Sequence, residues 1–173
     1  RNGNPDDMKW AKKELPEAGY PNGLKFRLET RSDDPHPAAA TFIKAELAKV
    51  GITVDINIIT ADQWYAQVYQ KLDYAATMQE HVNDRDVVWY GNPDFYWGYN
   101  NQTVTNLINQ AEQASTTTEQ TDLLKQANRI IVDDAASDWL YLYPQIVVAS
   151  TSISGYPING LNSQFYAFNI TKH

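Results

Sequence analysis

Two short stretches of alternating apolar residues, separated by one helical stripe, constrain this chain most. Leu24, Phe26 and Leu28 alternate with Lys25, Arg27 and Glu29, the two-residue period of a strand with one buried face. Ile52, Val54, Ile56 and Ile58 repeat that pattern with Thr53, Asp55 and Asn57 between them. Ala39, Phe42, Ile43, Leu47 and Val50 recur between the two at helical spacing, and Gly51 supplies a left-handed stop. A β-α-β order over so few residues predicts parallel neighbouring strands with a right-handed crossover.

The rest of the chain extends this α/β plan. Asp6 to Ala18 reads as a short helix capped by Asp6 or Asp7, with Pro16 to kink or end it, closed by the turn Gly19 to Gly23. Asp62 reads as the cap of a helix bearing Trp64, Val68 and Leu72, followed by a third strand near Asp73 to Ala76. Val104, Leu107, Ile108 and Ala111 mark a later helix, and Leu123, Leu124, Ala127, Ile131 and Ala135 mark another, with polar Ser115 to Thr118 between them. Trp139 to Ser150 reads as a strand. The stretch 152–173, with Gly155, Pro157 and Gly160, reads as a loop-rich tail holding a short strand at Phe165 to Ile170. The fold class expected is therefore α/β, a single lobe over residues 1–173 with helices flanking a mixed sheet.

Composition narrows the function. At 173 residues, 43% hydrophobic and 20% charged, the chain can bury a core. Its 14 basic against 21 acidic residues leave a net charge of -7, which opposes nucleic acid and anionic lipid as partners. Cysteine is absent, and His36, His81 and His173 are far apart with no metal-ligand spacing. No nucleophile elbow, phosphate loop or dinucleotide fingerprint occurs, so the expectation is no enzyme, no cofactor and no metal. The start at Arg1-Asn2-Gly3-Asn4-Pro5 reads as the middle of something longer.

One stretch concentrates binding chemistry: Glu80-His81-Val82-Asn83-Asp84-Arg85-Asp86 directly after the third expected strand, then Trp89, Tyr90, Phe95, Tyr96, Trp97 and Tyr99. Ligands of parallel α/β sheets meet loops at the carboxyl ends of strands. Carboxylates there suit a cationic ligand group, and aromatic rings suit its apolar parts. The same residues equally suit a solvated loop with local ion pairs beside ordinary aromatic packing. The candidate ligand-binding residues are Asp84, Asp86, His81, Asn83, Arg85, Trp89, Tyr96 and Trp97. A pair of acids for glycoside hydrolysis, Glu80 with Asp84 or Asp86, is a distant alternative.

Several segments resemble the extracellular solute-binding proteins of family 5, which include the dipeptide- and oligopeptide-binding proteins of ABC importers. Ala11-Lys12-Lys13-Glu14-Leu15-Pro16-Glu17-Ala18-Gly19-Tyr20-Pro21-Asn22-Gly23 is similar to a characteristic segment of that family. Glu46-Leu47-Ala48-Lys49-Val50-Gly51-Ile52 resembles its helix-to-strand passage, Trp64-Tyr65 and Asp73-Tyr74-Ala75-Ala76 a later helix and strand, and Leu123 to Asp133 its late helix. The resemblance implies the carboxy-terminal lobe of a type II periplasmic-binding fold, with an amino-terminal lobe and a lipoprotein signal elsewhere in the intact protein. It also implies a membrane permease as partner, a periplasmic or membrane-anchored extracellular location in a bacterium, and peptide uptake as the function. An oligosaccharide receptor is the runner-up.

In peptide-binding members, an Asp in the loop after the third strand pairs with the peptide's amino group, a role that the resemblance assigns to Asp84 or Asp86. That loop usually carries Gly-Trp and Asp-Pro; here Met78-Gln79 and Asp86-Val87 stand in their places.

Overall fold

Gly23 and Gly51 set the start of the sheet. Both have positive φ, and a Cβ on Gly23 would lie 2.3 Å from the Gly51 carbonyl oxygen, a clash that no side chain could accommodate there. The Leu24 amide donates to that same carbonyl over 3.3 Å. From this point β1 (Leu24–Arg31) and β2 (Ile52–Ile59) run parallel in register, Phe26 opposite Val54 and Leu28 opposite Ile56, joined through α2 (His36–Ala48).

The chain is described by a computed structural model that covers residues 5–82, 85–142, 144, 146–158 and 166–173. It divides into two compact units, residues 1–81 with 93–99, and residues 82–92 with 100–173.

In the first unit, β3 (Ala76–Met78) pairs with the other edge of β1, also in parallel, so the order is β2-β1-β3. Alternation then separates two faces. Leu28, Val54 and Ala40 of α2 form a core with Phe26, Leu47, Ile52, Ile56, Ala76 and Met78. Ile59, Trp64, Val68 and Tyr96 form a second core, with Tyr74, Phe95 and Trp97 packed against it. Phe42, which the sequence placed in the apolar stripe of α2, is instead 66% exposed; His36 and Ala40 are the residues that α2 buries.

Three local expectations are corrected in this unit. Asp6 and Asp7 lie inside the first turn of α1 (Pro5–Glu17), where carboxylates suit the positive end of the helix dipole. Pro16 falls in the last turn, and the Tyr20 amide closes the helix on the Leu15 carbonyl at 2.8 Å. The cap of α3 (Ala61–Trp64) is Thr60, not Asp62: the Thr60 hydroxyl accepts from the Gln63 amide, and the Gln63 side chain accepts from the Thr60 amide. The third strand begins at Ala76 rather than Asp73, because a π-turn (Tyr65–Gln70) follows α3 and the Asp73 carbonyl is taken by Arg27 and Gln67 side chains.

The second unit opens with a 3₁₀ helix (Asp86–Gly91) and pairs α4 (Gln102–Gln113) with α5 (Thr117–Asp133). Val104, Ile108 and Ala111 of α4 and Ala127 and Ile131 of α5 are buried, as their spacing predicts. Asn101 caps α4 by accepting from the amides of Thr103 and Val104, and Thr116 caps α5. Ala135, expected in the α5 stripe, sits past the helix end in a left-handed conformation with φ of 51°.

The described residues of the expected strand Trp139 to Ser150 form no strand. A strand needs a hydrogen-bonding neighbour, and none of the described residues supplies one, so Leu142 is 96% exposed and Val148 91%. In the tail, β4 (Ile153–Ser154) pairs antiparallel with β5 (Thr171–Lys172), and Ala167–Asn169 turn as a 3₁₀ helix where a strand was expected. Phe165, the first residue of that expected strand, lies outside the described residues.

Candidate functional site

Because all three strands of the first unit run the same way, their carboxyl ends share one edge. There lie Arg31 at the end of β1, Asp33 in the connection, His36 at the start of α2, the Thr60 cap before Trp64, and Gln79 to His81 after β3. This is the edge at which parallel α/β sheets meet their ligands.

His81, Tyr96 and Trp97 come together here. The His81 Nε2 and the Tyr96 hydroxyl are 2.6 Å apart in a hydrogen bond, and the two rings stack at 5.8 Å with 10° between their planes. Trp97 lies 5.1 Å from the His81 ring and 4.6 Å from Phe95. Tyr96 is buried, edge-on to Trp64 at 5.3 Å, and its backbone carbonyl accepts from the Tyr74 hydroxyl. Burial pushes the Tyr74 phenol above its usual range. Tyr96 is thus a support, whereas half-buried His81 and Trp97 present ring surface.

The carboxyl end of β1 adds a cation, Arg31, that the sequence analysis did not single out. Arg31 Nε and Nη2 donate to the two carboxylate oxygens of Asp33 over 2.8 and 3.0 Å. Such a two-point clamp fixes the plane of the guanidinium and leaves Nη1 outside those bonds. Burial pushes the Asp33 carboxyl up, but the hydrogen bonds and charge of Arg31 outweigh it and hold the group below its usual value. Buried His36, the first residue of α2, bonds the Asp33 carbonyl through Nδ1 at 3.0 Å. The signal that could have found this group is Arg-x-Asp at the carboxyl end of an apolar-alternating strand.

Of the other expected ligand-binding residues, Asn83 and Asp84 lie outside the described residues. Arg85, Asp86 and Trp89 belong to the second unit. Arg85 has a left-handed backbone, with φ of 60°, and pairs with Glu112 of α4. Asp86 occupies the first turn of the 3₁₀ helix that carries Trp89 and Tyr90. The Tyr90 hydroxyl donates to Ser137 Oγ at 2.6 Å. Burial, with the Asp86 charge adding to it, pushes the Tyr90 phenol above its ordinary value against the pull of Ser137. Among the described residues no group of three or more histidine, aspartate or glutamate side chains is placed to hold a metal ion. No described helix is long and apolar enough to cross a membrane.

Comparison with known proteins gives this geometry a context. The model of the bacterial extracellular solute-binding proteins, family 5 Middle, matches residues 1–85. The oligopeptide-binding protein OppA of Bacillus subtilis is 24% identical over 179 residues, covering 93% of this chain and 32% of OppA. Among solved structures, the Helicobacter pylori periplasmic binding protein DppA in complex with the peptide STSA matches with a TM-score of 0.71 and 24% identity over 95% of this chain and 34% of DppA. AgaA of A. tumefaciens R10, in complex with agropinic acid, matches with a TM-score of 0.71 and 19% identity over 95% of this chain and 37% of AgaA. The chain spans about a third of the length of these relatives. The family model thus covers the first 85 of the 173 residues, and the fold of the chain is that of the type II periplasmic binding proteins.

Proposed function

We propose that this chain is one lobe of a two-lobed solute receptor that delivers peptides to the membrane permease of an ABC importer. The observation that carries the reading is the gathering of His81, Tyr96 and Trp97 at the carboxyl edge of three parallel strands. Rings of this kind enclose apolar side chains without demanding one sequence, as a receptor for varied peptides requires. Clamped Arg31 at the same edge is suited to a carboxylate, and Asp84 or Asp86 to an ammonium group. The reaction is capture and release, with no bond made or broken. The receptor works outside the cytoplasm, held to the cell envelope, with the other lobe of the intact protein closing over the solute.

A second reading, an oligosaccharide receptor, is favoured by Tyr65 and Tyr69 of the π-turn. Their rings stack at 5.2 Å and are 52% and 39% exposed, a surface on which a sugar ring can lie. Mass spectrometry of the solute that co-purifies with the intact protein separates the two. Peptide masses support the proposal, and hexose-spaced masses support the second reading.

A further inference from the structure

Glu29 is wholly buried on the central strand, a costly place for a carboxylate, and its Oε2 has no hydrogen-bond partner among the described residues. What surrounds it accounts for its presence. Its Oε1 takes the Arg27 guanidinium and, at 3.4 Å, the side-chain amide of Gln67 in the π-turn. Its backbone carbonyl accepts from the Thr77 hydroxyl of β3 at 3.0 Å, and that hydroxyl in turn accepts from the Trp64 indole at 2.9 Å. Gln67 also donates to the Asp73 carbonyl at 3.0 Å, just ahead of β3. Two polar arms therefore run from one residue of β1 to the two ends of the Trp64–Gln67 turn, while the aromatic ring of Trp64 meets Tyr96 edge-on at 5.3 Å.

We infer that Glu29 and Thr77 are positioning residues for the solute site: they fix the indole of Trp64, which holds Tyr96 and, through it, His81 at the carboxyl edge of the sheet. The inference rests on the proposed binding role of that edge. A ring packed only by apolar contact can slide, whereas the indole N–H bonded to Thr77 sets one orientation at the cost of a single hydroxyl. Thr30, next to Glu29 on β1, provides a contrast, since its hydroxyl is buried without a partner among the described residues.

The test compares Thr77→Val and Thr30→Val. In the 173-residue chain without solute, Thr77→Val is expected to speed hydrogen exchange at one indole N–H, the one that disappears in Trp64→Phe, while Thr30→Val leaves it unchanged. In the intact protein, calorimetry with a mixture of free-ended tri- to pentapeptides is expected to show about fivefold weaker binding for Thr77→Val, the effect of one net hydrogen bond, and parent-like binding for Thr30→Val. Unchanged indole exchange in Thr77→Val overturns the inference, as does faster exchange with parent-like affinity. A parent protein that binds none of the peptides overturns the peptide reading instead, and the indole exchange then still decides whether Thr77 fixes Trp64.

Discussion

The β1–α2–β2 unit and the segment that follows α5 are both rich in large apolar residues, yet they end in opposite environments. Leu28 and Val54 are 5% and 0% exposed, each with a strand beside it and α2 across its face. Leu142, Ile146 and Val148 are 96%, 81% and 91% exposed, with no strand beside them among the described residues. The difference lies in neighbours rather than in composition: a strand is stabilised by the ladder and the layer it joins, not by its own β-propensity.

Substitution should expose that difference directly. Leu28→Ala leaves a cavity between the sheet and α2, and chemical denaturation of the chain should show a loss of about 2 to 5 kcal/mol. Leu142→Ala removes the same side chain from a position that is 96% exposed, and should stay within about 0.5 kcal/mol of the parent in the same experiment. Equal losses at both positions would mean that the two regions are packed alike.

That contrast also explains what could be read from the sequence. Alternation at Leu24 to Leu28 and Ile52 to Ile58 identified parallel partners because each stretch finds its complement within a β-α-β unit. Trp139 to Ser150 was also read as a strand, but its described residues form none, and no strand lies beside them among the described residues. The start of β3 was displaced because Arg27 and Gln67, remote in sequence, occupy the Asp73 carbonyl. In the site, the aromatic run from Trp89 to Tyr99 was legible as a cluster of types, but not its division between two units. Arg31 was missed because a polar link between strand and helix gives no sign that Asp33 clamps it.

Intermediate effects sharpen the comparison within the second unit, where α4 and α5 hold by caps as well as packing. Asn101→Ala removes the acceptor for the amides of Thr103 and Val104 and should cost about 1 kcal/mol in thermal or chemical unfolding. Asn101→Gly should recover most of that loss, since glycine leaves the cap backbone solvated.

The smallest effect concerns pH at the carboxyl edge of β1. The carboxyl of Asp33 titrates lower in the folded chain than its ordinary value of 3.8, so its contribution is present above that value and is lost as pH falls through the lowered one. Exposure of the pair keeps the contribution small. Arg31→Gln should flatten this part of the acid limb of stability against pH, measured by denaturant unfolding between about pH 2 and 5. An identical acid limb in parent and variant would show that the clamp does not hold Asp33 down.

The central claim, that solute meets the carboxyl edge of the parallel sheet, is tested most directly by hydrogen exchange on the intact protein with and without a mixture of free-ended peptides. The account predicts that peptide slows exchange in Gln79 to His81 and in Phe95 to Trp97, with α4 and α5 unchanged. Peptide binding that protects α4 and α5 while leaving those two stretches as they were would contradict it.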